Sequence, residues 1–285
     1  MVFKMMIEKY FGIERETAHQ LIAATDNMKH EKSGDNMFQN TETFLFDKYA
    51  VLKSQNINVR NVSTQDPALK YYESIANTLL DLHRQGVNVV PILAFQVNND
   101  GNGYIIQKRA KGAELYDRDK LDNKSYVLGR VKFLSNAPQA HFDKFVADTI
   151  EIMDAGVLVD CVGKDNFFYE ETIGFQFIDL NAHYDYIYGL DDEKPDGKKY
   201  AFMSCFRPLS HCPYPFADMP KYSEIVLRLI SELTDKEHIA LREHNKTILE
   251  KCKSAAINNG IAEEIVNDAI TSHKFILKMQ QLELL

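Results

Sequence analysis

VLVDCVGKDNFFYEETIGFQFIDLN, residues 157–181, joins three short apolar runs and sets a polar oxygen group at each junction. Asp160 follows the first run, Asn166 precedes the second and Asp179 ends the third. Val157–Val159, Phe167–Tyr169 and Phe175–Ile178 read as strands of a small sheet, with Glu171–Gly174 turning the last two into a hairpin. Backbone direction is fixed at strand ends, so side chains placed there can converge. Two converging oxygen acceptors suit Mg²⁺, a hard cation usually held by one or two protein groups together with substrate phosphates. The same Asp after a strand also serves as an ordinary turn cap, so the spacing alone leaves both readings open.

Working outward, HFDKFVADTIEIMDAG (141–156) carries Phe142, Phe145, Val146, Ile150 and Met153 at helical spacing and ends on Gly156, feeding directly into that stretch. Far upstream, TETFLFDKYAVLKS (41–54) holds two β-rich runs, Phe44–Phe46 and Tyr49–Leu52, separated by the two residues of a tight hairpin and closed by Lys53. DPALKYYESIANTLLDLHRQG (66–86) has Asp66 as an N-cap, Pro67 at the first helical position and Gly86 at the stop, which predicts a helix over 67–85. Glu73 falls at the edge of its apolar face (Leu69, Tyr72, Ile75, Ala76, Leu79, Leu82), where a carboxylate seeks a cation.

VVPILAFQV and YIIQKRA follow as strands across the turn residues NNDGNG. Past the polar loop DDEKPDGKK, three segments beginning at 220, 238 and 262 read as helices. The expected organisation is therefore α+β: a strand-rich N-terminal lobe over 1–110, and a mainly helical C-terminal lobe over 111–285 that carries the 157–181 segment.

A chain of 285 residues with 45% hydrophobic and 26% charged residues can bury one large core or two coupled lobes. A formal net charge of -8 argues against nucleic acid or an anionic membrane as the main partner. Lys4, Glu8 and Lys9 interrupt the apolar N-terminus, and no run approaches the ~20 apolar residues of a membrane span, so the expected location is the cytoplasm. Cys161, Cys205, Cys212 and Cys252 are too few and too scattered for a disulfide framework, and Cys205, His211 and Cys212 lack a second ligand pair at finger-like spacing.

Taken in order, Asp160, Asn166 and Asp179 resemble the catalytic-loop Asp, the catalytic-loop Asn and the metal-binding Asp of the protein-kinase-like superfamily, which includes aminoglycoside and choline phosphotransferases. Ala50-Val51-Leu52-Lys53 looks like the strand that presents the nucleotide lysine, and Glu73 lies where its helix partner belongs. The resemblance covers about residues 35–185. It implies a bilobal kinase-like fold, ATP and Mg²⁺ as cofactors, and transfer of the γ-phosphoryl group to a hydroxyl of a small-molecule or protein acceptor. It implies that Lys53, held by Glu73, contacts the α- and β-phosphates, that Asn166 and Asp179 hold the metal, and that Asp160 accepts the hydroxyl proton. Gln107–Gly112, including Arg109, would form the hinge whose backbone meets the adenine.

Departures from the family pattern favour an alternative. Leu158 and Val159 stand where a protein kinase has His and Arg, and the gap from Asp160 to Asn166 is one residue longer. Gly34 is the only glycine in the segment expected to cover the phosphates, SGDNMFQNT. A pseudokinase, keeping the fold as a nucleotide sensor or protein-interaction module without transfer, fits these changes.

Overall fold

A computed structural model of the chain describes residues 7–34, 41–54, 67–97, 103–115, 120, 123–157, 159, 166–178, 197–210 and 220–285. Two compact units divide it, Met1–Ala110 and Lys111–Leu285.

The first unit is built on a six-stranded antiparallel sheet in the order β1-β5-β6-β4-β3-β2. Its strands are β1 (Ile7–Tyr10), β2 (Lys32–Gly34), β3 (Thr41–Leu45), β4 (Tyr49–Ser54), β5 (Ile92–Val97) and β6 (Gly103–Lys108). Helix α1 (Arg15–Thr25) follows β1, and α2 (Pro67–Arg84) lies between β4 and β5. The hairpin at Asp47-Lys48 forms as its length dictates, closed by Phe46 N–H donating to the Tyr49 carbonyl at 2.8 Å.

Register decides which face each residue serves. Tyr10, Ala94, Ile106, Val51 and Phe44 stand in one row across β1, β5, β6, β4 and β3, and Glu8, Gln96, Tyr104, Lys53 and Glu42 form the next row on the same face. Ala18 of α1 packs into the core of that face with Phe44, Val51, Ala94, Tyr104 and Ile106. The row between them, Lys9, Phe95, Ile105, Leu52 and Thr43, points the other way, because side chains alternate along a strand. Helix α2 lies on that second side: Glu73 meets Lys9, while Leu80 and Leu93 crowd Gly12. Each face therefore has its own helix.

The second unit pairs a three-stranded sheet, β7-β8-β9, with helices. Its strands are β7 (Ala113–Glu114), β8 (Phe167–Glu170) and β9 (Gly174–Phe177); its helices are α3 (Lys124–Asn136), α4 (Gln139–Asp154), α5 (Gly197–Leu209), α6 (Pro220–Ser231), α7 (Asp235–Asn258), α8 (Glu263–Ser272) and α9 (Lys274–Gln281). Helix α4 is central, packing on α5, α7 and β9. Its buried stripe runs Phe142, Phe145, Val146, Asp148, Thr149 and Ile152, turned slightly from the expected face, so Ile150 and Met153 are only half-buried. Helix α7 starts with a capping box: Thr234 Oγ1 accepts from the Glu237 backbone while Glu237 Oε2 accepts from the Thr234 backbone.

The α+β class and the change from strand-rich to helical match the sequence reading. One part does not. Val157 and Val159 are buried, but neither is in a strand; the third strand of the small sheet is Ala113–Glu114. A two-residue strand has no periodicity to read. Also unforeseen were β1 with α1, α3, and α5, whose first turn occupies the end of the expected polar loop. Among the described residues no helix is long and apolar enough to cross a membrane.

Candidate functional site

In the first unit, Lys53 is bound, but not by Glu73. Its ammonium donates to Asp26 Oδ1 at 3.0 Å, beside the C-terminus of α1, and lies 5.9 Å from the centre of the Tyr104 ring. Burial alone would lower the Lys53 pKa; the Asp26 hydrogen bond and the charges of Tyr104, Asp26 and Glu42 outweigh it and raise it. Glu73 instead pairs with Lys9 Nζ, at 3.1 Å and 3.0 Å to its two oxygens. The expected Lys53–Glu73 pair is therefore corrected, and the reason is parity: Lys53 shares a face with Val51 and α1, and Glu73 lies on the opposite side with Lys9.

Gln107 and Arg109 stand at the end of β6 and just beyond it. Gln107 is half-buried, stands opposite Ala50 and shares that residue's face. The Arg109 side chain is committed locally: Nη1 donates to the Phe46 carbonyl at 3.0 Å, and its backbone N–H donates to the Lys48 carbonyl at 2.9 Å. It ties the segment to the β3–β4 turn.

The other end of the segment is tied into the second unit. Buried Gln176 of β9 donates from Nε2 to the Lys111 carbonyl at 2.6 Å and accepts the Lys111 N–H on Oε1 at 3.2 Å. Gly112 follows with φ +80, and a Cβ there would lie 2.1 Å from the Tyr169 carbonyl oxygen. Only glycine fits on both counts.

The β8–β9 hairpin forms where the apolar alternation placed it. Phe167 stands opposite Phe177, and Glu170 opposite Gly174. Its turn is a carboxylate nest, in which Glu170 Oε2 accepts the Thr172 and Ile173 backbone N–H groups at 2.9 and 3.0 Å. The bond from the Thr172 hydroxyl, and after it these two backbone bonds, lower the Glu170 pKa. At the open end, the Asn166 carbonyl accepts the Ile178 N–H at 3.0 Å, extending the ladder one step past the strands. Asn166 is thereby fixed opposite the residue that precedes Asp179 in the sequence. Its side chain is half-exposed and makes no hydrogen bond to another side chain or backbone group among the described residues. Asp160 and Asp179 lie outside the described residues.

Val159, one position before Asp160, is held from behind. The buried Tyr200 hydroxyl of α5 donates to its carbonyl at 2.7 Å. Beneath the hairpin, the centre of the Phe145 ring lies 4.8–5.6 Å from those of Phe167, which it meets edge-on, and Phe175 and Phe177, against which it is tilted. The open end of the hairpin therefore rests on a solid aromatic core.

Several positioning groups escaped the sequence reading: Asp26, Gln176 and Tyr200. Asp148 did so as well. It is 2% exposed and bonded to Lys144 Nζ at 2.8 Å. A signal existed for Asp148, which falls three residues after Phe145 and four before Ile152 on the apolar stripe. Asp26 and Tyr200 offered none, because their partners are distant in the chain.

The order of parts defines the class. A strand bearing Lys53, a helix carrying Glu73, two further antiparallel strands and then a helical unit with a small hairpin sheet make an α+β architecture in the order that the sequence reading expected. No protein-family model matches the sequence, and no match occurs among curated proteins. Among solved structures, the chain is similar to an aminoglycoside phosphotransferase from Streptomyces rimosus, at 11% identity and TM-score 0.32 over 83% of this chain and 99% of that one. It is similar to a bifunctional kinase-methyltransferase at 11% identity and TM-score 0.33, over 77% of this chain and 52% of that one, so it spans about half that protein's length. It is also similar to the Cydia pomonella granulovirus kinase at 11% identity and TM-score 0.40, over 92% and 100%. Overlaps this slight assign no residue, so every role rests on this chain's own side chains.

Proposed function

We propose that this protein is an ATP- and Mg²⁺-dependent phosphotransferase acting on a hydroxyl of a small-molecule or protein acceptor. The observation that carries the reading is the Asn166–Ile178 bond at the open end of the hairpin, which fixes the Asn166 backbone opposite the residue that precedes Asp179 in the sequence. An amide and a carboxylate oxygen are the hard donors that Mg²⁺ takes, and bound Mg²⁺ offsets charge on the transferring phosphoryl group. Asn166 and Asp179 supply those ligands. Asp160 accepts the acceptor's proton as its oxygen bonds to the γ-phosphorus and the bond to the leaving diphosphate breaks. The Val159–Tyr200 bond fixes the backbone one position before Asp160 in the sequence.

One observation favours a second reading, a nucleotide sensor or interaction module without transfer. Lys53 is paired with Asp26 and Glu73 with Lys9, so the lysine–glutamate pair that orders phosphates in active kinases has no counterpart on these residues.

Thermal unfolding tests both. Wild type and Asp179→Ala are heated with ATP, with Mg²⁺, with both and with neither. Saturation at about 100 times Kd adds about 2.7 kcal/mol. A shift requiring both ligands and missing in Asp179→Ala is the expected result, and equal shifts in the two proteins would sink the metal site. Release of ADP that rises on addition of a hydroxyl acceptor then separates transfer from sensing.

A further inference from the structure

The Asp26 carboxylate stands toward Lys53 as a phosphate oxygen would, and we infer that it is an internal competitor: a polyphosphate binds Lys53 by displacing Asp26. The inference rests on the nucleotide reading above and adds its regulation. It comes from the environment of Lys53 in the first unit.

The Lys53 side chain is largely enclosed, 16% exposed, while its partner Asp26 is 62% exposed. The cation is the fixed member of the pair. Tyr104 of β6 stands directly beside it and is itself buried, and Val51 of the same face is wholly buried. Asp26 is the member that can leave. The backbone around it is pinned without help from its side chain: buried Thr25 donates Oγ1 to the Ile22 carbonyl at 2.7 Å, and the N–H groups of Asn27 and Met28 bond the Ala24 and Thr25 carbonyls, both at 3.2 Å. Rotation of one exposed carboxylate therefore opens the lysine without unwinding α1.

Carboxylate and phosphate oxygens offer an ammonium the same short charge-assisted bond. A triphosphate brings more charge, so it prevails once its concentration suffices. A second carboxylate bears on the outcome. Glu42 stands opposite Lys53 in register, and it also lies 3.7 Å from His30 Nδ1. An incoming polyphosphate meets both Asp26 and Glu42, so like-charge repulsion weakens its binding unless a divalent cation accompanies it. The arrangement thus selects the magnesium complex over the free anion and sets an affinity threshold through Asp26.

Isothermal titration of the full chain with tripolyphosphate and with ATP, each with and without Mg²⁺, tests this on wild type, Asp26→Asn, Asp26→Ala, Lys53→Ala and the Asp26→Asn/Lys53→Ala double variant. Removing the competitor should tighten binding by about two- to fivefold, the range of a partly exposed ion pair. The gain should be larger without Mg²⁺ and should vanish when Lys53 is absent. Wild-type binding left unchanged by both Asp26 substitutions overturns the competitor while sparing the nucleotide reading. So does an equal gain in the Lys53→Ala background, which marks a general charge effect. Binding by none of the five proteins overturns both proposals together.

Discussion

The two polar constellations of this chain were equally plain in the sequence and fared differently in three dimensions. Asn166 and the end of β9 come together as the apolar alternation anticipates, because they belong to one hairpin. A turn of three residues and the Gly174 backbone, at φ +81, set that register locally. Lys53 and Glu73 sit on different elements, and their meeting depends on which face of β4 the lysine takes. One step of register reverses that face for every residue in the strand. Leu52 points toward the side of α2, Lys53 toward α1. Contacts set within one hairpin survive inference from sequence; contacts between elements depend on a parity that sequence order does not contain.

The largest effects should appear where the hairpin rests on its aromatic core. Phe145→Ala removes a buried ring that touches three others and should cost about 3–5 kcal/mol in equilibrium urea unfolding. A loss under 1 kcal/mol would mean that the core does not hold the hairpin. Gly112→Ala combines a left-handed backbone with a carbonyl 2.1 Å from the new methyl group, and about 3 kcal/mol is expected by the same measurement.

Tyr200→Phe keeps the ring and strands the buried Val159 carbonyl. A loss of about 1–2 kcal/mol should follow, with amide hydrogen exchange becoming faster around residue 159.

On the other side of the comparison the effects shrink, since the ion pairs are partly exposed. Glu73→Gln should cost under about 1 kcal/mol and leave any ATP-dependent thermal shift at its wild-type size, because its partner is Lys9. Abolition of that shift by Glu73→Gln would restore the pairing read from the sequence.

The smallest effect concerns Glu8, next to Lys9 on β1. Burial pushes its carboxyl up, but hydrogen bonds from Tyr10 and His19 and the charges of His19 and Arg15 outweigh burial and leave its pKa lowered. A lowered folded-state pKa means that its contribution is present above the ordinary carboxylate range and fades as pH falls through the folded value. The stability gap between wild type and Glu8→Gln should thus be fully present above the ordinary carboxylate range and close as pH falls through the lowered folded-state value, with a total below about 1 kcal/mol.

Sequence by itself determined the α+β class, the α2 helix with its Pro67 start, the β3–β4 and β8–β9 hairpins and the polar ends of the latter. These are features whose cause lies within a few residues: alternation, turn chemistry and a helix-start proline act locally. Tertiary structure decided the partners. It gave Lys53 to Asp26 and Glu73 to Lys9, replaced Val157–Val159 with Ala113–Glu114 in the small sheet, and brought Tyr200 to Val159 across 41 residues. Each of these pairings depends on the face or edge that an element presents after packing, and burial of the apolar faces settles that for the whole unit at once.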